Sequence, residues 1–272
     1  MTIRPDAASQ FHRLHAESQP LLVLPNAWDG GSARLMESLG APAIATTSAG
    51  LAWVHGWPDG DRLPLALLLE SLRDIARVVR VPITVDMEGG FGADAATVGQ
   101  AVAQVVAAGA AGVNLEDGQG APELLAEKIA AARAAAERQG VRLFINARTD
   151  VFLFGLGAPE GRVGEVLRRA ALYAAAGASG LFVPGLTAAE GIRAVAAGTA
   201  LPLNVMARPG LPAAAELAAL GARRLSAGAA FNLALWGRAQ ALAREFLASG
   251  RSEALAEGAM PYPAIQGLFP AN

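Results

Sequence analysis

Short apolar runs alternate with longer alanine-rich helical patterns almost from one end of the chain to the other. This alternation limits the available folds more than any other feature, because short apolar runs predict buried strands and helical spacing predicts amphipathic helices. The predicted strands cover Leu21–Pro25, Ala43–Thr47, Ile83–Asp86, Gly112–Glu116, Arg142–Ala147, Gly180–Val183, Leu203–Val205 and Arg224–Ala227. The predicted helices include Leu65–Val79, Ala93–Ala108, Glu123–Gln139, Arg162–Ala176, Ala188–Ala197, Ala213–Leu220 and Asn232–Ala248.

Eight strand-then-helix units in a chain of 272 residues predict a single (β/α)8 TIM barrel. A doubly wound open sheet is the alternative, although it usually has fewer strands. Since no serine- or glycine-rich linker divides the chain, we expect one domain over 1–272. The barrel is expected over about 20–250, and the C-terminal helix and tail over about 229–272.

The composition excludes several kinds of chemistry. The chain has no cysteine, which rules out disulfides, thiolate metal sites and cysteine nucleophiles. A formal net charge of −2 gives no attraction to nucleic acid or anionic lipid. The single lysine, Lys128, lies in the segment EKIAAARAAAER, which we interpret as a surface helix. A Schiff base, which needs a lysine in a pocket, is therefore not expected.

Nothing in the sequence predicts a membrane or secretory segment. The N-terminal segment is polar and lacks the apolar centre of a signal peptide. The uncharged stretch over 170–189 is about long enough to span a bilayer, but glycines and Pro184 divide it into a helix end, a turn and a strand. We therefore expect a cytoplasmic protein with no membrane partner.

Acidic residues collect where two neighbouring strands end. Asp86 and Glu88 flank Met87, and the next strand ends in Glu116 and Asp117. Parallel strands of a barrel bring such acids to one mouth, where uncompensated carboxylates repel one another and favour a bound cation. Ligands that are all oxygen indicate Mg²⁺ or Mn²⁺. The alternative is that these acids cap helices or pair with arginines.

Other strand ends carry groups that could bind an anionic substrate. Arg148, at the end of the fifth strand, would clamp an anion or stabilise developing negative charge, unless it only pairs with Asp150 or Glu116. Asn204 ends the seventh strand and could donate a hydrogen bond to a carboxylate. Hydroxyls and amides that could hold a carboxylate or enolate oxygen follow the second strand at Thr47, Ser48, Ala49 and Gly50.

Several motifs in a fixed order resemble the isocitrate lyase / phosphoenolpyruvate mutase superfamily. They are LPNAWD, TTSAGLAW, VDMEGGFG, GVNLEDG and NARTD, and the match runs from about Leu22 to Asn204. The resemblance implies a (β/α)8 barrel whose last helix is exchanged between subunits, which gives homodimers or homotetramers. It also implies Mg²⁺-dependent chemistry on 2-oxo acids or their enols, in which C–C or P–C bonds are cleaved or formed.

The resemblance also implies roles for individual residues. Asp86, Glu88 and Glu116 would hold Mg²⁺ directly or through water, and Asp59 matches a further acid of the metal site. Backbone amides around Ser48–Gly50 would support the oxyanion. Arg148 would stabilise the enolate, with Glu116 beside it, and Asn204 would contact the outer part of a small carboxylate substrate.

The chain departs from the superfamily at positions that decide specificity. The lyases carry a cysteine acid/base, and this chain has none. The loop over 117–123 lacks the lysine and asparagine found in the mutases, and Gly185 stands where methylisocitrate lyases have a glutamate. We therefore expect a C–C lyase or decarboxylase. P–C bond chemistry by a mutase or hydrolase is the alternative, and a non-catalytic metabolite-binding or assembly protein is the third possibility.

Overall fold

The computed structural model describes residues 5–16 and 20–269. Its strands are β1 (Leu22–Leu24), β2 (Asn26–Ala27), β3 (Ile44–Thr46), β4 (Ile83–Asp86), β5 (Gly112–Glu116), β6 (Phe144–Arg148), β7 (Gly180–Phe182), β8 (Leu203–Met206) and β9 (Ala222–Ser226). Its α-helices are α1 (Pro5–Leu14), α2 (Gly30–Ser38), α3 (Ser48–Val54), α4 (Leu65–Val78), α5 (Ala95–Ala107), α6 (Pro122–Glu137), α7 (Arg162–Ala175), α8 (Ala189–Gly198), α9 (Ala214–Ala219), α10 (Ala230–Ser249), α11 (Glu253–Ala256) and α12 (Tyr262–Leu268). A short 3₁₀ helix covers Pro159–Gly161.

The strands form one parallel sheet that curves into a nearly closed barrel, which confirms the predicted TIM-like fold. Their order is β1-β9-β8-β7-β6-β5-β4-β3-β2. The first predicted strand is divided at Pro25, which has no backbone N–H to donate. Its first part, β1, pairs with β9, and its second part, β2, pairs with β3. The two parts together take the place of one barrel strand.

The amino-terminal end of the barrel is plugged by α1, a helix that the hydrophobic pattern did not predict. Phe11 of α1 is fully buried and packs edge-on against Phe144 at the start of β6, with ring centroids 5.3 Å apart. Gly112 leaves room for it, since a Cβ there would lie 2.9 Å from the Phe11 ring. With this end filled, the opposite end is left for a ligand.

The C-terminal helix α10 lies largely outside the core. Its exposed apolar side chains include Phe231, Leu233, Leu235, Trp236, Phe246 and Leu247. An apolar groove of about 1080 Å³ separates the start of α10 from α2 and also contacts α12. A contiguous exposed apolar surface of this kind is typical of an interface, so exchange of α10 between subunits remains our prediction. None of the described helices is long and apolar enough to cross a membrane.

The predicted exchange can be tested by the mass of the protein in solution. We expect light scattering after size-exclusion chromatography to give a dimer or tetramer, and Trp236→Asp to shift the population toward smaller species by placing a charge in the interface. Gln100→Asp, at an exposed position of α5 outside the C-terminal helix, is the control. A monomeric wild-type protein would contradict the prediction.

Candidate active site

Four side chains form a continuous register row across β5, β6, β7 and β8; Glu116, Arg148 and Phe182 end their strands, and Asn204 is the second residue of β8. Glu116 is the register partner of Arg148, Arg148 of Phe182, and Phe182 of Asn204. Residues in register on parallel strands point to the same face of the sheet, which for these four side chains is the barrel interior. The strand ends that the sequence predicts to meet therefore do meet, with the basic group between an acid and an aromatic ring.

Arg148 is held on two sides by carboxylates. Its Nη1 lies 2.6 Å from Glu116 Oε2, while Nε and Nη2 donate to the two oxygens of Asp150 at 2.7 and 3.2 Å. The ring centroid of Phe182 lies 5.8 Å from the guanidinium carbon of Arg148. Both ion pairs considered from the sequence are therefore present. Because a guanidinium group has five N–H donors, Nη1 and Nη2 each retain an N–H for a ligand.

Asp86 is fixed at the end of β4 by groups from the strands on both sides. Its backbone N–H donates to Thr46 Oγ1 at 2.9 Å. Its carboxylate accepts from the Ser48 N–H at 3.2 Å and from Asn114 Nδ2 at 3.4 Å. The Ser48 amide, predicted to support an oxyanion, thus contacts the carboxylate of a predicted metal ligand.

Glu88 lies in a turn after β4 rather than on the strand, so its position relative to Asp86 is set by the turn and not by strand alternation. Its φ is +49°, in the left-handed region, and its carboxylate accepts a hydrogen bond from the Asp61 N–H. Within the part of the chain that the structure describes, the non-glycine residues with positive φ are Asp61, Glu88 and Phe91. Such strain costs energy and concentrates at functional sites, and here all of it lies in two loops that contact each other.

The acids of the mouth outnumber its cations. Burial raises the pKa of Glu88 to about 7, and the negative charges of Asp61, Asp86 and Asp59 add to the rise. Burial also raises the pKa of Glu116, although the neighbouring Arg148 opposes the shift. The pKa of Asp150 is raised by burial as well. The acids that surround Arg148 therefore outnumber the basic group that they contact, and burial together with their mutual repulsion favours protonation of part of this cluster when no cation is bound.

The oxygen ligands and the surplus of acidic groups fit a hard divalent cation, which would favour their ionised forms. Among residues 5–16 and 20–269, no three acidic or histidine side chains are close enough to coordinate one ion together. That spacing is compatible with Mg²⁺, which keeps several waters and binds one or two carboxylates directly. The predicted metal ligands Asp86, Glu88 and Glu116 interact with one another by charge, and their assignment to a metal ion stays a prediction.

The prediction that Lys128 lies on the surface is wrong. Its side chain is buried, and Nζ donates to the Gly89 carbonyl at 2.7 Å. Because α6 is rich in alanine, its sequence does not show clearly which face is buried. Leu125, Lys128 and Ala132 nevertheless have the spacing of one helical face, and all three are buried. The chain's only lysine thus supports the strained loop that carries Glu88.

The remaining predicted residues lie around the same mouth with different degrees of contact. Asn204 is buried, its Oδ1 accepts from Ser226, and its Nδ2 has no partner in the described structure. Asp59 is exposed and influences Glu88 only by charge, whereas Asp61, which was not predicted, contacts the loop directly.

The loop over Thr47–Gly50 runs from the end of β3 into α3. Thr47 precedes α3, and Ala49 and Gly50 lie in its first turn, where amides lack intrahelical acceptors.

Two further polar residues, Arg169 and Tyr173, escaped the sequence analysis. Both lie on the buried face of α7 with Val166 and Ala170, at helical spacing. The sequence signal that could have identified them is a polar residue on the apolar face of a helix. Such a residue indicates a buried polar partner, because buried polar groups require partners. Their partner is Asp117, directly after Glu116.

Comparison with known proteins gives a consistent result. The sequence model of the phosphoenolpyruvate phosphomutase family matches residues 11–247. An uncharacterized protein of Mycobacterium tuberculosis (strain ATCC 25618 / H37Rv) is 33% identical over 202 residues, which cover 74% of this chain and 75% of the relative. An oxaloacetate decarboxylase of Bradyrhizobium sp. (strain BTAi1 / ATCC BAA-1182) is 35% identical over 188 residues, 65% of this chain and 62% of the relative.

Among solved structures, a protein of Burkholderia cenocepacia J2315 that is provisionally named a phosphonomutase is 44% identical. The match has a TM-score of 0.83 and covers 88% of this chain and 99% of that one.

The raised pKa of Glu88 gives a pH-dependent prediction. When a chelator keeps the protein free of metal ions, the native state keeps the Glu88 proton up to about pH 7. The unfolded chain releases this proton near the ordinary pKa of 4.5. The native state therefore binds more protons in this window, and Glu88 makes the free energy of unfolding fall as the pH rises from about 4.5 to 7. Glu88→Gln should leave the protein similar at pH 4.5 and stabilise it at pH 8 by at most ~3 kcal/mol.

The measurement is urea unfolding at both pH values, with the exposed Glu70→Gln as control. Equal stability of Glu88→Gln and wild type at pH 8 would contradict it.

The contact between Lys128 and Gly89 predicts a loss of stability on substitution. Lys128→Met keeps the apolar stem but leaves the Gly89 carbonyl without its charged donor, which should cost about 1–3 kcal/mol in urea unfolding. The neighbouring exposed residue offers Glu127→Met as a control, for which we expect no loss. Similar unfolding midpoints for all three proteins would show that this contact does not stabilise the loop.

Proposed function

The chain belongs to the phosphoenolpyruvate phosphomutase family, and on that premise we propose that it is a Mg²⁺-dependent enzyme that cleaves a C–C bond of a small 2-oxo or hydroxy acid. The reaction would pass through a pyruvate-like enolate, as a lyase or decarboxylase. The family match confirms the resemblance drawn from the motifs, and the finer activity is our proposal.

The observation that carries this proposal is the position of Arg148. It lies in register with Glu116, at the same barrel mouth as Asp86 and Glu88. An enolate oxygen is a strong, localised negative charge, and preorganised positive groups in a partly buried site stabilise such a charge most effectively. The arrangement thus suits a reaction in which negative charge develops on an oxygen next to a carboxylate.

The proposed cation would be held by Asp86 and Glu116, with Glu88 reaching it through water. When bound, Mg²⁺ would supply Lewis acidity toward the carboxylate and 2-oxo oxygens of the substrate. The surplus of acidic groups described above supports this assignment, since a cation would relieve their mutual repulsion.

The chain's own residues would bind the substrate and stabilise the enolate. The free N–H groups of Arg148 would donate to the oxygen on which charge develops, and the unpartnered Nδ2 of Asn204 would donate to the outer carboxylate. The amides of Ala49 and Gly50 would add donors from the opposite side. In a decarboxylation, the bond from C3 to the departing carboxylate breaks, its electron pair forms the enolate, CO₂ leaves, and a solvent proton at C3 completes the product.

Two observations favour C–C over P–C cleavage. The Bradyrhizobium relative is named an oxaloacetate decarboxylase, and the loop over 117–123 contains neither lysine nor asparagine. The provisional name of the Burkholderia structure favours a phosphonomutase, so P–C bond chemistry is the second candidate. A non-catalytic binding protein is the third, and the acids and arginine retained at the barrel mouth argue against it. We further propose a cytoplasmic homo-oligomer that binds small carboxylates.

Oxalate, a mimic of the pyruvate enolate, tests the proposed site directly. We expect oxalate to raise the unfolding temperature by several degrees only when Mg²⁺ is present, because a ligand at 100 times its Kd adds about 2.7 kcal/mol of stability. Asp86→Asn should abolish the Mg²⁺-dependent shift, whereas Glu70→Gln should preserve it. A shift that is equal with and without Mg²⁺ would exclude the cation from the site.

Product analysis then separates the activities. We expect wild-type protein with Mg²⁺ to release CO₂ and pyruvate from oxaloacetate or to cleave a related 2-oxo or hydroxy acid. Release of phosphate from phosphonopyruvate would favour the second candidate. If Mg²⁺ and oxalate leave the unfolding temperature unchanged and no substrate is consumed, the third candidate stands.

A further inference from the structure

A buried polar cluster of Asp117, Arg169 and Tyr173 contacts the backbone on both sides of Thr149, next to Arg148. Asp117 Oδ2 accepts from Arg169 Nη1 at 2.8 Å and from the Tyr173 hydroxyl at 2.5 Å. The Asp117 side chain has no exposed surface, and Arg169 and Tyr173 are buried on α7. Arg169 Nε also donates to Glu165 Oε1 at 2.7 Å. The carboxylate of Asp117 is therefore fixed in one orientation.

The second oxygen of Asp117 connects this cluster to the active site. Asp117 Oδ1 accepts from the Asp150 backbone N–H at 2.9 Å, and the Asp117 N–H donates to the Arg148 carbonyl at 3.2 Å. The Asp150 carboxylate, also without exposed surface, holds Arg148 through Nε and Nη2. The chain of contacts thus runs from α7 through Asp117 and Asp150 to the guanidinium group of Arg148.

We propose that Asp117, Arg169 and Tyr173 are positioning residues for Arg148, which they orient by fixing the backbone of Asp150. Replacing a buried ion pair by apolar residues is often neutral for stability, so stability alone does not require an arginine and a tyrosine in this helix. The orientation of Arg148 does require them, because Asp150 must present both oxygens to Nε and Nη2 while Nη1 and Nη2 each keep an N–H for a ligand. The consequence for catalysis rests on the proposed function of Arg148.

The orientation of Arg148 can be measured without any substrate. In ¹H–¹⁵N spectra of the full-length protein, the Arg148 Nε–H signal is the one lost in Arg148→Lys. We expect its hydrogen exchange to become about tenfold faster or more in Arg169→Met and in Tyr173→Phe, because the acceptor Asp150 is then less fixed. Arg168→Met is the matched control, since Arg168 binds the same Glu165 but not Asp117.

Unchanged exchange in both Arg169→Met and Tyr173→Phe would overturn the proposal, whatever the activity of the enzyme. If exchange changes as expected but wild-type protein neither binds oxalate with Mg²⁺ nor turns over a 2-oxo acid, the proposed function fails and the positioning role stands.

With an accepted substrate, Arg169→Met should lower kcat about tenfold or more and change KM less. In the Arg148→Lys background, it should add little further loss. Full additivity of the two losses would show that Arg169 acts independently of Arg148, which would also overturn the proposal.

Discussion

The register between β5 and β6 places Glu116 opposite Arg148, and the arrangement of the barrel mouth depends on this pairing. A shift of β6 by one residue would turn Arg148 to the other face of the sheet, away from Glu116. The same register sets Asn114 opposite Asn146, whose amide donates to the Asn114 side chain at 3.0 Å. Parallel pairing of these two strands therefore builds both the charged row at the mouth and the amide row beneath it.

Two basic side chains extend from the surrounding helices to the loops that carry the acidic residues of the barrel mouth. Lys128 comes from α6 to the loop that carries Glu88, and Arg169 comes from α7 to Asp117. Each binds a backbone carbonyl or a supporting acid and leaves the acids of the central cluster to share Arg148. The supporting cations therefore stabilise the loops without neutralising the proposed cation site.

The alternation of short strands and alanine-rich helices predicted most of the barrel, because apolar periodicity reports burial directly. It could not predict the division at Pro25, which depends on pairing with two different neighbours. Helix α1 escaped because its short polar sequence packs only through residues such as Phe11. The acids and Arg148 were predictable since they end strands, whereas Lys128, Arg169 and Tyr173 were not, because their functional contacts depend on which face of a helix meets the barrel.

The differences from related lyases are built into the backbone as well as the side chains. Gly185, where methylisocitrate lyases have a glutamate by resemblance, has φ of +87°, and a Cβ there would lie 2.9 Å from the Leu153 backbone nitrogen. A glutamate introduced at this position would therefore be strained and would collide with the main chain after β6. In the loop after β5, the Gly120 N–H donates to the Asp117 carbonyl at 2.8 Å, so a tight turn follows this strand. A side chain at position 185 would thus require the loop after β6 to move, so exchanging this one residue would not reproduce the backbone of a relative that carries a glutamate there.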